Sequence, residues 1–236
     1  MNGERVGVVG DRSLATAVET AGGRPVVGYP EEVDDVGFVV AGGETAVVDL
    51  ARREVEVPVL PVDAGRGVRS VPLGEAGSAV KRVLDDEYGT ERRPVISTRT
   101  GERALFDVAL AAAEPARISG FSIRHDGEQL AQFRADGVVA STPAGTVGYS
   151  NTADGPLTAP GTGVLVVVPV APFATNADRL VLPLDGVALG VERNETPVEL
   201  LADGRTERNV GTGDPVDLSP AGTVETLVVP ESGSFF

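Results

Sequence analysis

Cysteine is absent from this chain and histidine occurs once, at His125. The first absence excludes disulfides, thiolate metal sites and cysteine nucleophiles. The second leaves too little imidazole for a histidine metal cluster or a serine–histidine relay. His125 precedes Asp126-Gly127, a turn signal, and reads as a strand-edge or turn residue. Lysine is nearly missing as well: apart from Lys81, the 20 basic residues are arginines, set against 35 acids for a net charge of −15. That balance repels nucleic acid phosphates and anionic membrane surfaces. The acids are spread along the chain, as on a halophilic surface whose self-repulsion is screened by high salt. Long apolar runs are missing too. The longest, Val164 to Val170, falls far short of the ~20 residues that span a bilayer. Met1 to Arg5 lead directly into a short apolar run, without the features of a signal peptide. The expected location is the cytoplasm, with neither nucleic acid nor membrane as partner.

What is present divides by texture. Arg5 to Val9 reads as a β-branched strand, Ser13 to Ala21 as an apolar-periodic helix and Pro25 to Gly28 as a second strand. Val36 to Val40 reads as a buried strand running into Ala41-Gly42-Gly43-Glu44-Thr45 and a helix over Ala46 to Arg53. Pro58 to Val62 supplies another strand. Gly74 to Tyr88 reads as an amphipathic helix with Ala79, Val80, Val83 and Leu84 inward. Alternation of this kind predicts a Rossmann-like α/β domain over residues 1–92. Past about Arg93 the chain becomes short β-rich runs punctuated by Asp126-Gly127, Asp136-Gly137, Asp185-Gly186 and Asp203-Gly204. That pattern predicts a β-sandwich-like domain over residues 93–236.

Two segments carry candidate chemistry. Gly42 and Gly43 lie between a buried strand and a helix, where backbone amides can approach a phosphate and the helix dipole favours it. The adjacent Glu44 suits proton acceptance from a hydroxyl, or help in holding Mg²⁺, in phosphoryl transfer. Taken alone, a glycine pair after a strand is more often an ordinary turn. The second segment runs from Asp136 through Ser141-Thr142-Pro143-Ala144-Gly145-Thr146-Val147-Gly148-Tyr149-Ser150 to Ala153-Asp154-Gly155-Pro156. Its hydroxyls, glycines and single ring suit a ribose and a flat base. For Asp136 the plainer reading is an Asp-Gly hairpin turn.

This second segment resembles the signature of the NAD kinase family: DG, three apolar residues, TPTGSTAY, then a small polar stretch ending in GGP. Val57 to Gly67 resembles the family's VPILGINAGRLG. Leu84 to Arg92 resembles its segment ending in EY and an arginine. Val168-Pro169 with Arg179 to Pro183 resembles LTP…RPLVLP, and Ser234-Phe235-Phe236 is similar to its aromatic tail. The resemblance implies an ATP domain over residues 1–92, an NAD-binding domain over 93–236, and a C-terminal tail returning to the first. It implies transfer of a phosphoryl group from ATP, with Mg²⁺ or another divalent metal, to NAD, in a homodimer or homotetramer, with no metal ligand assigned to the protein itself.

Residue by residue, the resemblance assigns Glu44 to catalysis and Gly42, Gly43 and Thr45 to the ATP phosphates. It assigns Asp107, Asp136, Thr142, Gly145, Gly148, Tyr149 and Thr152 to NAD. Departures accompany the matches. Ala41 to Thr45 stands where the family has GGDGT. In one register Glu44 takes the place of the aspartate with one glycine fewer before Thr45; in the other Gly43 falls there and no carboxylate does. Phe106-Asp107 replaces an Asn-Glu pair, Val147-Gly148 replaces Thr-Ala, and Pro61-Val62-Asp63 replaces Gly-Ile-Asn. Two functions stay open at this point. One is an NAD kinase slowed by its altered motif. The other is an inactive relative that keeps the dinucleotide pocket for nucleotide sensing or partner binding.

Overall fold

Short β-branched runs set between amphipathic helices become parallel strands, because each run buries both faces while each helix buries one. The computed structural model describes residues 3–114, 118–174 and 177–236. In order, the first unit holds β1 (Arg5–Val9), α1 (Leu14–Ala21), β2 (Arg24–Val27), β3 (Phe38–Gly42), α2 (Glu44–Arg52), β4 (Val59–Val62) and α3 (Ala76–Leu84). β1 pairs in parallel with both β2 and β3, and β3 pairs in parallel with β4. The chain therefore lays its strands in the order β2-β1-β3-β4. Val6, Val8, Val40, Leu60 and Val62 meet Leu14 and Val18 of α1 and Ala79, Val80 and Val83 of α3 in one buried cluster. The unit takes in residues up to Arg93 together with Thr223–Phe236.

Two helices differ in extent from the sequence reading, each for a local reason. α2 begins at Glu44, two residues early, because Gly43 serves as its N-cap at φ 88°. α3 stops at Leu84, four residues short of Tyr88. Asp85, Asp86 and Glu87 follow it, three negative charges at the negative end of the helix dipole, and Asp86 turns the chain at φ 59°. No helix among the described residues is long and apolar enough to cross a membrane.

The second unit, Pro94–Gly222, is β-rich. It comprises the end of β5 (Gly89–Thr98), β6 (Arg103–Ala104), β7 (Asp107–Ala112), β8 (Ser119–His125), β9 (Glu128–Ala135) and β10 (Gly137–Ser141). After a 3₁₀ turn (Pro143–Val147) and α4 (Tyr149–Thr152) come β11 (Val164–Val170), β12 (Leu180–Pro183), β13 (Val187–Arg193), β14 (Val198–Ala202) and β15 (Arg205–Val210). The start of β16 (Val216–Val228) completes the unit. β12-β11-β10-β7-β14-β15 form one antiparallel sheet. β8 pairs with β9 and β13, and β13 with the start of β16, in a second layer. Val108, Leu110, Val138, Leu165 and Leu200 from one layer pack with Phe121, Ile123, Val187 and Leu189 from the other.

The four Asp-Gly pairs divide. Asp126-Gly127 and Asp203-Gly204 have positive φ at both residues and close the β8–β9 and β14–β15 hairpins. Asp185-Gly186 connects β12 to β13, which do not pair with each other. Asp136 lies inside a sheet: its N–H donates to Val170 (3.0 Å) and its carbonyl accepts from Ala112 (2.9 Å). The hairpin reading of Asp136 is thereby corrected, and its side chain sits where β9 gives way to β10.

Candidate active site

In an open parallel sheet of order 2-1-3-4, successive connections leave β1 in opposite directions, so a crevice opens beyond the carboxyl ends of β1 and β3. Gly10 follows β1 and Gly42 ends β3. A Cβ on Gly10 would lie 2.2 Å from the Gly42 carbonyl oxygen, and one on Gly42 would lie 2.7 Å from Asp11 Cβ. Glycine at both positions lets the two loops touch backbone to backbone. Gly43 then turns the chain into α2, its own N–H donating to the Val62 carbonyl at 2.8 Å. The Gly43 amide is thus engaged, and the N–H groups that open the helix belong to Glu44 and Thr45. Both of these residues are exposed. The Glu44 carboxylate extends toward the loop after β4, where a Cβ on Gly65 would stand 3.9 Å from its Oε2. A phosphate and a proton acceptor can both be served here, at the positive end of a helix.

In the second unit, β10 delivers the chain to Thr142 and the 3₁₀ turn. Thr142 is fully buried. Its Oγ1 donates to the Leu105 carbonyl at 2.6 Å and accepts from the Gly145 N–H at 3.4 Å. A Cβ on Gly145 would fall 2.0 Å from the Phe106 carbonyl oxygen. Both residues therefore fasten the turn onto the Leu105–Phe106 bend that leads to Asp107, the first residue of β7. Tyr149, about half exposed, projects at the start of α4. Its phenol is raised above the ordinary value by burial first, then by the charges of Asp107 and Asp136. Tyr149, Asp107 and Asp136 are thus within electrostatic reach of one another, a ring beside two carboxylates suited to ribose hydroxyls. Gly148 caps α4, and Thr152, exposed at its end, donates from Oγ1 to the Gly148 carbonyl at 3.4 Å.

Asp203 escapes a sequence reading, which takes it for a turn residue. Its carboxylate accepts the N–H groups of Leu105 (2.9 Å), Phe106 (2.7 Å) and Asp107 (3.2 Å). The β14–β15 turn thereby clamps the segment carrying Asp107, and nothing in the dipeptide Asp-Gly foretells so distant a partner.

Residues 105–229, which hold this clamp, the 3₁₀ turn and Tyr149, match the family model for the ATP-NAD kinase C-terminal domain. The chain is 31% identical over 249 residues to the NAD kinase of Bordetella pertussis, covering 95% of this chain and 83% of that one. The chain belongs to the NAD kinase family. It is also 34% identical over 201 residues to the NAD kinase of Nitratidesulfovibrio vulgaris, covering 78% of this chain and 67% of the relative. Two solved structures share the NAD kinase fold. One is an Archaeoglobus fulgidus NAD kinase in complex with ATP (TM-score 0.78, 20% identity, 94% of this chain and 92% of that one). The other is a yeast NADH kinase complexed with NADH (TM-score 0.77, 17% identity, 98% and 85%). An α/β unit followed by a β-rich one is the architecture that the resemblance implies.

Proposed function

We propose that the chain is an active NAD kinase, transferring the γ-phosphoryl group of ATP to the 2′-hydroxyl of the adenosine ribose of NAD. The observation that carries this reading is a carboxylate, Glu44, on the first residue of the helix at the crevice of the parallel sheet. In this reading the 2′-oxygen attacks the γ-phosphorus, and the bond from phosphorus to the β,γ-bridging oxygen breaks. ADP leaves with the electron pair and the hydroxyl proton passes to Glu44, giving NADP. Gly42 and Gly43 shape the loop, while the amides of Glu44 and Thr45 face the phosphates. Asp107 and Asp136 accept ribose hydroxyls, and Tyr149 lies against the nucleotide. Thr142, Gly145, Gly148 and Thr152 hold that segment in place. Among the described residues no three His, Asp or Glu side chains gather as a metal cage. In this reading the divalent cation enters as part of the MgATP substrate, where it neutralises phosphate charge. The family resemblance further supports a cytoplasmic homodimer or homotetramer.

The test is NADP formation from NAD, ATP and Mg²⁺ in concentrated potassium chloride, with a Glu44→Ala variant alongside. Turnover that falls at least about a hundredfold in the variant is the expected result. NAD binding without any NADP would sink the kinase reading and leave nucleotide sensing or partner binding in its place.

A further inference from the structure

The chain that leaves β4 makes a closed excursion before it enters α3. The Asp63 N–H donates to the Val71 carbonyl at 2.8 Å and the Val71 N–H to the Pro61 carbonyl at 2.9 Å, which seals the base of the loop. Nearer the tip, the Ser70 N–H donates to the Gly65 carbonyl at 3.2 Å. Gly65 is also the residue beside which the Glu44 carboxylate comes to rest, a Cβ there standing 3.9 Å from Oε2. The loop carries two non-glycine residues at left-handed φ, Asp63 at 51° and Arg69 at 53°. Such backbone persists only where its surroundings hold it.

What holds Arg69 is the C-terminal tail. Gly233 grips the loop twice: its N–H donates to the Ser70 carbonyl at 3.1 Å, and its carbonyl accepts from Arg69 Nε at 3.1 Å. A Cβ on Gly233 would press on the Ser70 carbonyl oxygen at 3.3 Å, so the close approach suits glycine. The tail is itself anchored. Ser232 turns it, donating its N–H to the Val229 carbonyl (2.9 Å) and accepting the Val229 N–H on Oγ (3.1 Å). Two residues past the clasp, Phe235 is buried with its ring centre 6.0 Å from the guanidinium carbon of Arg93. Arg93 is 1% exposed, and its Nε and Nη1 have no hydrogen-bond partner among the described residues. The face of the ring is therefore part of what stabilises this buried cation. Arg93 Nη2 donates to one oxygen of Glu91, whose other oxygen accepts from Arg69 Nη1 at 2.7 Å. One carboxylate thus joins the arginine under the tail to the arginine of the loop by charge-assisted bonds.

We infer that Arg69 is a positioning residue for phosphoryl transfer, and that the C-terminal tail, through Gly233 and through Phe235 on Arg93, fixes the loop against which Glu44 rests. The inference rests on the kinase reading for what Glu44 does. With the loop fastened, Gly65 closes one side of the Glu44 carboxylate and limits where it can swing. With the loop released, the carboxylate gains freedom and the alignment of acid and hydroxyl is diluted. Arg69 acts on the chemical step through Glu44, so its loss spares the binding of both nucleotides.

The experiment compares the parent with Arg69→Ala, Arg69→Lys and Phe235→Leu variants, and repeats Arg69→Ala in a Glu44→Ala background. Steady-state NADP formation from NAD and MgATP is measured, and backbone amide exchange over residues 64–71 is followed by mass spectrometry. Arg69→Ala should lower kcat about tenfold and change each KM by less than about twofold, with Arg69→Lys recovering part of the rate. In the Glu44→Ala background the same substitution should cost nothing further, because its effect passes through that carboxylate. The loop amides should exchange about tenfold faster in Arg69→Ala and in Phe235→Leu. An unchanged kcat, an equal loss of rate in both backgrounds, or a raised KM with kcat preserved overturns the assignment while the kinase reading stands. If the parent forms no NADP, the kinase reading fails and amide exchange alone decides the rest: faster exchange in the variants upholds the fastening of the loop by the tail, and unchanged exchange refutes it.

Discussion

At the scale of single residues, the position to test is Glu44: in the register that sets it opposite the aspartate of the family's GGDGT, a longer carboxylate stands in a shorter loop. The helix begins at Glu44 itself, directly after Gly43 at φ 88°, so the acid is carried by the first turn and reaches outward over Gly65. A glutamate extends one methylene further than an aspartate, and in that register the extra reach would offset the missing glycine. The Glu44→Asp variant should consequently be slower than the parent, even though it restores the family's residue type. A retreat of about 1 Å from the reacting hydroxyl corresponds to roughly a hundredfold in kcat, with little change in the KM for NAD. Steady-state kinetics of the pair decides it: a Glu44→Asp enzyme equal to or faster than the parent would show that the extra methylene serves no compensating purpose. Glu44 was legible in the sequence as an acid between a strand and a helix. That its neighbour's amide is already committed to Val62 was not, because that bond joins strands whose order only the fold reveals.

Elements show what local pattern can and cannot convey. The α/β alternation was readable because hydrophobic period changes visibly between strand and helix; the Asp-Gly pairs were ambiguous because the same dipeptide closes a hairpin at 203–204 and bends the chain from β9 into β10 at 136–137. Thr142 and Gly145 look like ligand contacts in a glycine-rich loop, yet their bonds and close approaches are to Leu105 and Phe106. A Gly145→Ala variant places a methyl against the Phe106 backbone and should destabilise the protein by about 1–3 kcal/mol, weakening NAD binding through displacement of Tyr149 and Asp107. Thermal unfolding and NAD titration check this, and an unperturbed variant would refute the support role. A second element-level tie joins the β5–β6 turn to β15 through Glu102. Burial by itself would raise this carboxyl. The hydroxyls of Thr100 and Thr98, its own backbone N–H and Arg208 at 2.9 Å outweigh that effect and bring it from 4.5 to about 2. Because the folded value is depressed, the stabilisation is whole above about pH 4.5 and is lost as pH falls toward 2. Allowing for partial exposure it is worth roughly 2 kcal/mol. Urea unfolding from neutral pH downward should show a steeper acid loss in the parent than in Glu102→Gln, and parallel curves would dismiss the tie.

For the whole molecule, charge is the property that the sequence conveys most directly and the fold modifies least. Thirty-five acids against 20 bases leave carboxylates in excess of cations, while the pairs seen among the described residues are mostly at the surface, as with Arg5–Asp35 and Lys81–Asp85. Exposed pairs of this type contribute about 0–1 kcal/mol each, so their loss to screening is small beside the repulsion that screening removes. The Debye length shrinks from about 10 Å at 0.1 M salt to about 3 Å at 1 M, which confines each carboxylate's field to its near neighbours. Stability should accordingly rise with potassium chloride. For a chain of this size each kcal/mol gained lifts Tm by about 2–4 °C, and the increase should be steepest below about 1 M, where the screening length changes most. Calorimetric Tm values across a potassium chloride series, compared with an equiosmolar series in sucrose, separate screening from solute exclusion. A rise confined to the salt series fits an acidic surface held in check by counter-ions. A Tm that stays flat or falls with salt would mean that the arginine–carboxylate pairs, and not the unpaired acids, dominate the electrostatic balance of the folded chain.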